Sequence, residues 1–127
     1  MTEDERRRRI ERALAYGGTH DLGDLADLIQ KGEAQWWQDD SGEGMIVTEI
    51  HAYPKLKALS YWLIAGELRA CLALEDRINA WGVGQGCTIA ISTGRKGWVR
   101  AAAATGWRPR PHMFPVWKPL VGEEPGA

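Results

Sequence analysis

The stretch 56-LKALSYWLIAGELRACLALEDRINAWGVGQGCTIAIS-92 decides the fold, because its hydrophobic pattern changes period twice. Leu56–Ala65 is apolar at nearly every position, which predicts a central strand covered on both faces, and Gly66 ends it. From Glu67 to Trp81 the apolar residues Leu68, Cys71, Leu72, Ile78 and Trp81 fall on one helical stripe. Gly82, Gly84 and Gly86 then break the chain, and Thr88–Ser92 is a short apolar strand. Two strands separated by a helix predict a parallel pair joined by a right-handed crossover.

Working towards the N-terminus, Met45–Tyr53 predicts a strand that stops at Pro54. Its alternation puts Met45, Val47, Glu49, His51 and Tyr53 on one face and Ile46, Thr48, Ile50 and Ala52 on the other. The turn-rich 39-DDSGEG-44 connects it to a short strand over Ala34–Gln38, so the two form a hairpin. Upstream, Leu22, Leu25, Leu28 and Ile29 recur at helical spacing as far as Gly32, with Thr19 or Asp21 as the cap. Residues 3–16 predict a further helix, ended by Gly17-Gly18. There Glu3, Asp4 and Glu5 precede Arg7, Arg8 and Arg9 by four, an order that supports a solvated helix face. The arginine run therefore says little about nucleic acid.

Towards the C-terminus, Lys96–Thr105 predicts a fourth helix that stops at Gly106, and the four prolines within Trp107–Leu120 confine any strand there to an edge. The predicted order is α-α-β-β-β-α-β-α-(β), an α/β (α+β) arrangement with a mixed sheet, an N-terminal antiparallel meander, a central parallel strand pair and about four flanking helices. Residues 1–120 make one domain, and 121–127 a flexible tail.

Composition narrows the function classes. A chain of 127 residues with 44% hydrophobic content supports a single core. No stretch reaches the roughly 18 apolar residues that span a bilayer, and the opening MTEDERRRRIER is too polar for a signal peptide, so a cytoplasmic, non-membrane protein is expected. Cys71 and Cys87 have no CxxC spacing and no nearby histidine partner, so no metal site is expected. The net charge of −1 conceals an asymmetry: residues 1–76 carry 15 acidic and 9 basic groups, the remainder 2 and 7. A basic C-terminal part suits a phosphate-bearing ligand or nucleic acid, or else complements the acidic part within the fold.

Three groups of residues carry candidate chemistry. Glu49, His51 and Tyr53 share a strand face, where a carboxylate can orient an imidazole as general base; an exposed polar strand face explains them equally. At Thr93–Trp98 a strand end meets a helix start, so Gly94, Arg95 and Lys96 are candidate anion ligands; a tight turn is the simpler account. Gly82-x-Gly84-x-Gly86 follows a helix and precedes a strand, the reverse of a phosphate cradle, and reads as a helix stop. Of the seven tryptophans, Trp36, Trp107 and Trp117 are the least clearly buried and are candidates for stacking on a base or anchoring a protein interface.

The element order resembles the N-acetyltransferase (GNAT) fold over nearly the whole chain. The pieces Ala15–His20 (AYGGTH), Val47–Tyr53 (VTEIHAY), Leu63–Gly66 (LIAG), Trp81–Cys87 and Gly94–Trp107 (GRKGWVRAAAATGW) look like a family of short GNAT-like proteins of tailed bacteriophages, found among head and packaging genes. The resemblance implies acetyl-CoA as cofactor, held where the central strand parts from its neighbour, at Ile64, Ala65 and Gly66. It implies Tyr16 and His20 in the loop beside the acceptor substrate. The stretch Ile64–Arg69 departs from the usual Arg/Gln-x-x-Gly-x-Gly/Ala pattern and places Glu67 near the phosphates. Two functions follow: an acyl-CoA-dependent N-acyltransferase, or a non-catalytic module that binds phage structural or packaging proteins, or DNA, in the host bacterial cytoplasm or the virion.

Overall fold

A computed structural model describes residues 1–92, 100–101 and 103–108. Four strands form one mixed sheet in the order β1 (Gln35–Gln38), β2 (Gly44–Ala52), β3 (Lys57–Gly66), β4 (Ile89–Ser92). The first three pair antiparallel, and β3 pairs parallel with β4, as the strand-helix-strand pattern predicts. Helices α1 (Glu3–Gly17) and α2 (Leu22–Gln30) precede the sheet; α3 (Leu68–Leu72) and α4 (Glu75–Gly84) connect β3 to β4.

Local signals explain most of these boundaries. Thr2 and Glu5 form a capping box on α1, and Gly18, at φ 71°, closes it by donating to the Leu14 carbonyl. Asp21, rather than Thr19, caps α2, in a reciprocal pair with Asp24. The β1–β2 hairpin is pinned by Asp39, whose carboxylate accepts from the Gly44 and Ser41 N–H groups and from the Ser41 hydroxyl. Those bonds, chiefly the one to Ser41, hold its acidity above that of an ordinary aspartate.

The sheet separates two apolar layers. On one face Met45, Val47, Leu63 and Ala65 bury Ile10 and Leu14 of α1 and Leu25 of α2. On the other, Ile46, Leu59 and Tyr61 pack against Cys71, Leu74 and Ile78 of α3 and α4. β3 is thus covered on both sides, which is why its sequence is so uniformly apolar. Among the described residues no helix is long and apolar enough to cross a membrane.

Two expectations are corrected. The helix predicted over Glu67–Trp81 divides at Ala73-Leu74, where Leu74 N–H bonds to Cys71 O three residues back and tightens the turn. Gly82 does not stop α4: its helix runs through to Gly84 and ends at Gly86, at φ 90°. A β-carbon on Gly82 would stand 2.7 Å from Leu59 Cδ2, so this glycine serves close helix-on-sheet packing instead. The face carrying Glu3, Asp4, Arg7, Arg8 and Arg9 is exposed, as the sequence predicts, and Arg6 donates to the Met1 and Gly42 carbonyls. Most of the predicted fourth helix, the proline-rich strand, Trp117 and the tail 121–127 lie outside the described residues.

Candidate functional site

The central feature is the edge of β3 beside β4, where the sequence predicts a fork; the chain after Ser92 lies outside the described residues, so the pairing is described as far as Tyr61 and Ser92. Ala58, Leu59, Ser60 and Tyr61 pair with Ile89, Ala90, Ile91 and Ser92, and β3 then continues through Trp62–Gly66 with no strand beside it on that edge among the described residues. An unpartnered strand edge presents a row of backbone N–H and C=O groups to an incoming chain.

A bulge marks the fork's apex. Val47 pairs with Leu63 but Thr48 pairs with Tyr61, so Trp62 is an extra residue in β3 with no partner on β2. Alternation inverts there. Leu59 and Tyr61 face α4, whereas Trp62, Leu63 and Ala65 all contribute to the layer under α1 and α2.

At the open end of the fork the chain is held tightly. Gly66 has φ 99°, and a β-carbon there would lie 2.1 Å from the Glu43 carbonyl oxygen. The next N–H, of Glu67, donates to that same oxygen at 2.8 Å. A β-carbon on Gly44 would meet the Cys71 backbone nitrogen at 2.7 Å, so α3 sits directly on β2. Of the predicted cofactor ligands, Ile64 packs into the α4 layer, and the Ala65 carbonyl accepts from the Cys71 thiol at 3.3 Å. Gly66 forms the turn into α3. Glu67 makes no side-chain cap, and both it and Arg69 are exposed at this mouth. Gly94, Arg95 and Lys96 lie outside the described residues.

The sequence-predicted catalytic row is real as a geometric object. His51 Nε2 stands 3.8 Å from Glu49 Oε1, and the His51 and Tyr53 rings meet edge to face at 6.3 Å. Its register relative to the fork could not be read from β2 alone. Glu49 pairs with Ser60 and His51 with Ala58, so the row runs away from the apex. At about 3.3 Å per residue, Ala58 is some 13 Å along the strand from Trp62.

The loop between α1 and α2 does reach the apex. The His20 ring packs edge to face on Trp62, with centroids 4.7 Å apart, and its Nδ1 is 2.8 Å from the Thr19 hydroxyl. Tyr16, also predicted for the acceptor side, is 75% exposed. Trp62 was missed by sequence reasoning, since it looks like any other aromatic in a buried strand.

Elsewhere the chemistry-bearing residues are structural. Burial pushes the Cys71 thiol up to about 11, and the phenol of Tyr61 is likewise raised, by burial and then by Glu75 and Asp76. Tyr61 donates to Asn79 Oδ1, and the 95%-buried Glu75, a second residue the sequence did not single out, accepts from Trp107 Nε1. Trp107, predicted as a candidate stacking platform, is packed edge to face on Tyr61 at 5.1 Å. Trp36 remains 38% exposed and lines a groove of about 350 Å³ with Arg6, Arg7, Ile10, Leu22 and Gln38, at the β1 edge and away from the fork. Among the described residues no group of three or more His, Cys, Asp or Glu side chains can hold a metal ion.

No protein-family model matches the sequence, and no curated protein matches it. Solved structures do match. The chain superposes on the crystal structure of a probable acetyltransferase with a TM-score of 0.70 at 8% identity, over 94% of this chain and 93% of that one. A GCN5-related N-acetyltransferase from Ralstonia eutropha JMP134 gives 0.63 at 16% identity, over 94% and 92%. An acetyltransferase from Trypanosoma brucei gives 0.61 at 11% identity, over 92% and 96%. At such identities the likeness establishes the fold, and the fold is that of the GNAT acetyltransferases.

Proposed function

We propose that this protein is an acetyl-CoA-dependent N-acetyltransferase whose cofactor enters the fork between β3 and β4. The observation that carries the reading is the parallel β3–β4 pair, joined through α3 and α4 and followed directly by the bulge at Trp62, within a sheet that superposes on solved acetyltransferases. The pantetheine arm of the cofactor carries two amides, which suit the backbone edge of Trp62–Gly66 on the side away from β2 as an added strand would. Helix α3 is only five residues long and offers little dipole. Charge neutralisation of the phosphates therefore falls to Arg69 at the mouth and, from the sequence, to Arg95 and Lys96 beside Gly94. The exposed, uncapped Glu67 side chain is free to turn away from them. When bound, the cofactor supplies an activated acetyl thioester; the chain's own part is to orient it and to receive the amine.

Placement in the phage family would make the amine acceptor a head or packaging component, or leave a non-catalytic module that binds one. The unusual Ile64–Arg69 stretch is the feature that favours the latter.

Calorimetric titration with acetyl-CoA tests the reading directly, with a thermal melt beside it. At a hundred times the dissociation constant the ligand adds about 2.7 kcal/mol of stability, which raises the melting temperature by several degrees. No heat and no shift at millimolar ligand would remove the enzyme and leave the binding module.

A further inference from the structure

We propose that the groove between α1 and the outer edge of β1 is a docking site for an extended, acidic segment of a partner protein, which joins the sheet there as an added strand. β1 is the end strand of the sheet and pairs with β2 alone among the described residues. In an antiparallel ladder, successive residues point their backbone groups alternately at the neighbouring strand and away from it. The Asp39 N–H donates to the Gly44 carbonyl at 3.1 Å, so residues 39, 37 and 35 address β2, and residues 38 and 36 address the open side. Two further bonds agree with that phase: the Ala34 N–H donates to Leu28 O of α2, and Gln38 O accepts from Arg77 at 3.1 Å. Trp36 is thereby left with an outward N–H and C=O that meet no partner among the described residues, and Gln38 with an outward N–H.

The side chains of the same two residues line the groove. Trp36, with Ile10 of α1 and Leu22 of α2, makes an apolar end; Gln38 lies at the other end with Arg6 and Arg7. The Arg6 guanidinium and the Gln38 amide both stand against Gly42, which fixes that polarity. One strand laid on this edge would therefore meet backbone bonds and side-chain pockets together, the first giving affinity and the second preference for alternate residues.

Charge selects the occupant. Arg6 is tethered to the Met1 and Gly42 carbonyls and Arg77 to the Gln38 carbonyl, while Arg7 is exposed and has no hydrogen bond or ion pair among the described residues. Glu3 is the one carboxylate among the lining residues; Asp39 and Glu43, just beyond, are engaged by the Gly44 N–H and the Met1 ammonium. An apolar side chain over Trp36 and an acidic one two residues along would satisfy both ends. A second copy of this chain does not fit. Self-pairing of 35-QWWQ-38 supplies no carboxylate to the arginines and sets two arginine clusters near one another. Nucleic-acid phosphates would suit the arginines but leave the strand-spaced backbone groups unused.

Fluorescence polarisation with the full chain and a fluorescein-labelled peptide, GSETLTESG, tests the proposal. Its two glutamates and its leucine share one face at strand spacing, whichever way the peptide runs. Saturable binding is expected, at least about ten-fold weaker for the lysine peptide GSKTLTKSG. Methylating the nitrogens of the leucine and of the threonine after it, which blocks pairing in either direction and keeps every side chain, should also weaken binding at least about ten-fold. Arg7→Glu, at an exposed position without a partner, should invert the preference to the lysine peptide with the thermal melt unchanged. No binding at millimolar peptide, equal binding of the lysine or methylated peptide, or an unchanged preference in Arg7→Glu would overturn the proposal. So would a labelled single-stranded DNA dodecamer that binds tighter than the peptide and displaces it, or a dimer in sedimentation that Trp36→Glu dissolves. None of these outcomes bears on the acetyl-CoA titration, whose site lies two strands away.

Discussion

Replacing Gly66 by alanine tests whether the mouth of the fork is as tightly built as its geometry says. The left-handed φ of 99° costs an L-residue about 1–2 kcal/mol. The new β-carbon would begin 2.1 Å from Glu43 O, where an ordinary carbon–oxygen contact is about 3.3 Å, so the hairpin or the turn must move by about 1 Å. Overpacking of that kind costs roughly 1–3 kcal/mol. The shift also stretches the Glu67 N–H bond to the same oxygen, about 1 kcal/mol more. Together these give roughly 3–6 kcal/mol, a large part of the 5–15 kcal/mol that stabilises a domain of this size. Urea unfolding followed by tryptophan fluorescence measures it, with the slope m checked for constancy. Gly84→Ala is the control: a β-carbon there meets nothing within 4 Å and φ is not left-handed, so stability should change by less than about 1 kcal/mol, upward if at all. A Gly66→Ala protein within about 1 kcal/mol of wild type at unchanged m would refute the argument, because the turn would then be free to relax.

Three further outcomes follow from buried or pinned groups. Because burial raises Cys71 to about 11 from 9.0, folding favours the neutral thiol; that stabilisation is complete below pH 9 and is lost as pH rises through 11, so Cys71→Ala should flatten the alkaline stability profile by up to about 2 kcal/mol in chemical denaturation. Glu75→Leu removes the acceptor facing Trp107 Nε1 and should destabilise by about 1–3 kcal/mol, whereas Glu75→Gln, which keeps an oxygen there, should cost under half as much. Asp39→Ala should cost about 1 kcal/mol at neutral pH and nothing below the carboxylate's folded-state pKa, which is depressed, so the wild-type advantage fades as pH falls below about 4; an advantage that persists at pH 2 would contradict it.

The sequence carried the layers and lost the registers. Periodicity found α1 and α2 and a helical connection between β3 and β4, Pro54 and the DDSGEG turn bounded the strands, and the apolar run over 56–65 announced a strand buried on two sides. These are local signals, written in consecutive residues. The break at Ala73-Leu74 carries no glycine or proline, and its apolar stripe continues across it from Cys71 through Leu74 to Ile78, so nothing local reports the tightened turn. Gly82 was misread for a related reason: what demands the glycine is Leu59, twenty-three positions away on another element. The candidate site shows the same division. Alternation correctly grouped Glu49, His51 and Tyr53, but their distance from the fork depends on which residues of β3 oppose them, and on how far β4 extends. His20 and Trp62 meet only because a loop crosses over a strand.

The extra residue at Trp62 sets how this protein can vary in length. Deleting it would leave β3 paired continuously with β2 and regular in its alternation, with Leu63 and Ala65 still towards α1 and Ile64 still towards α4, because Trp62 and Leu63 share one face. A hairpin tip such as Asp40–Ser41 can lose or gain a residue at the cost of a loop; in this strand only the bulge can, since a deletion elsewhere would leave the residues between the cut and the bulge on the wrong face.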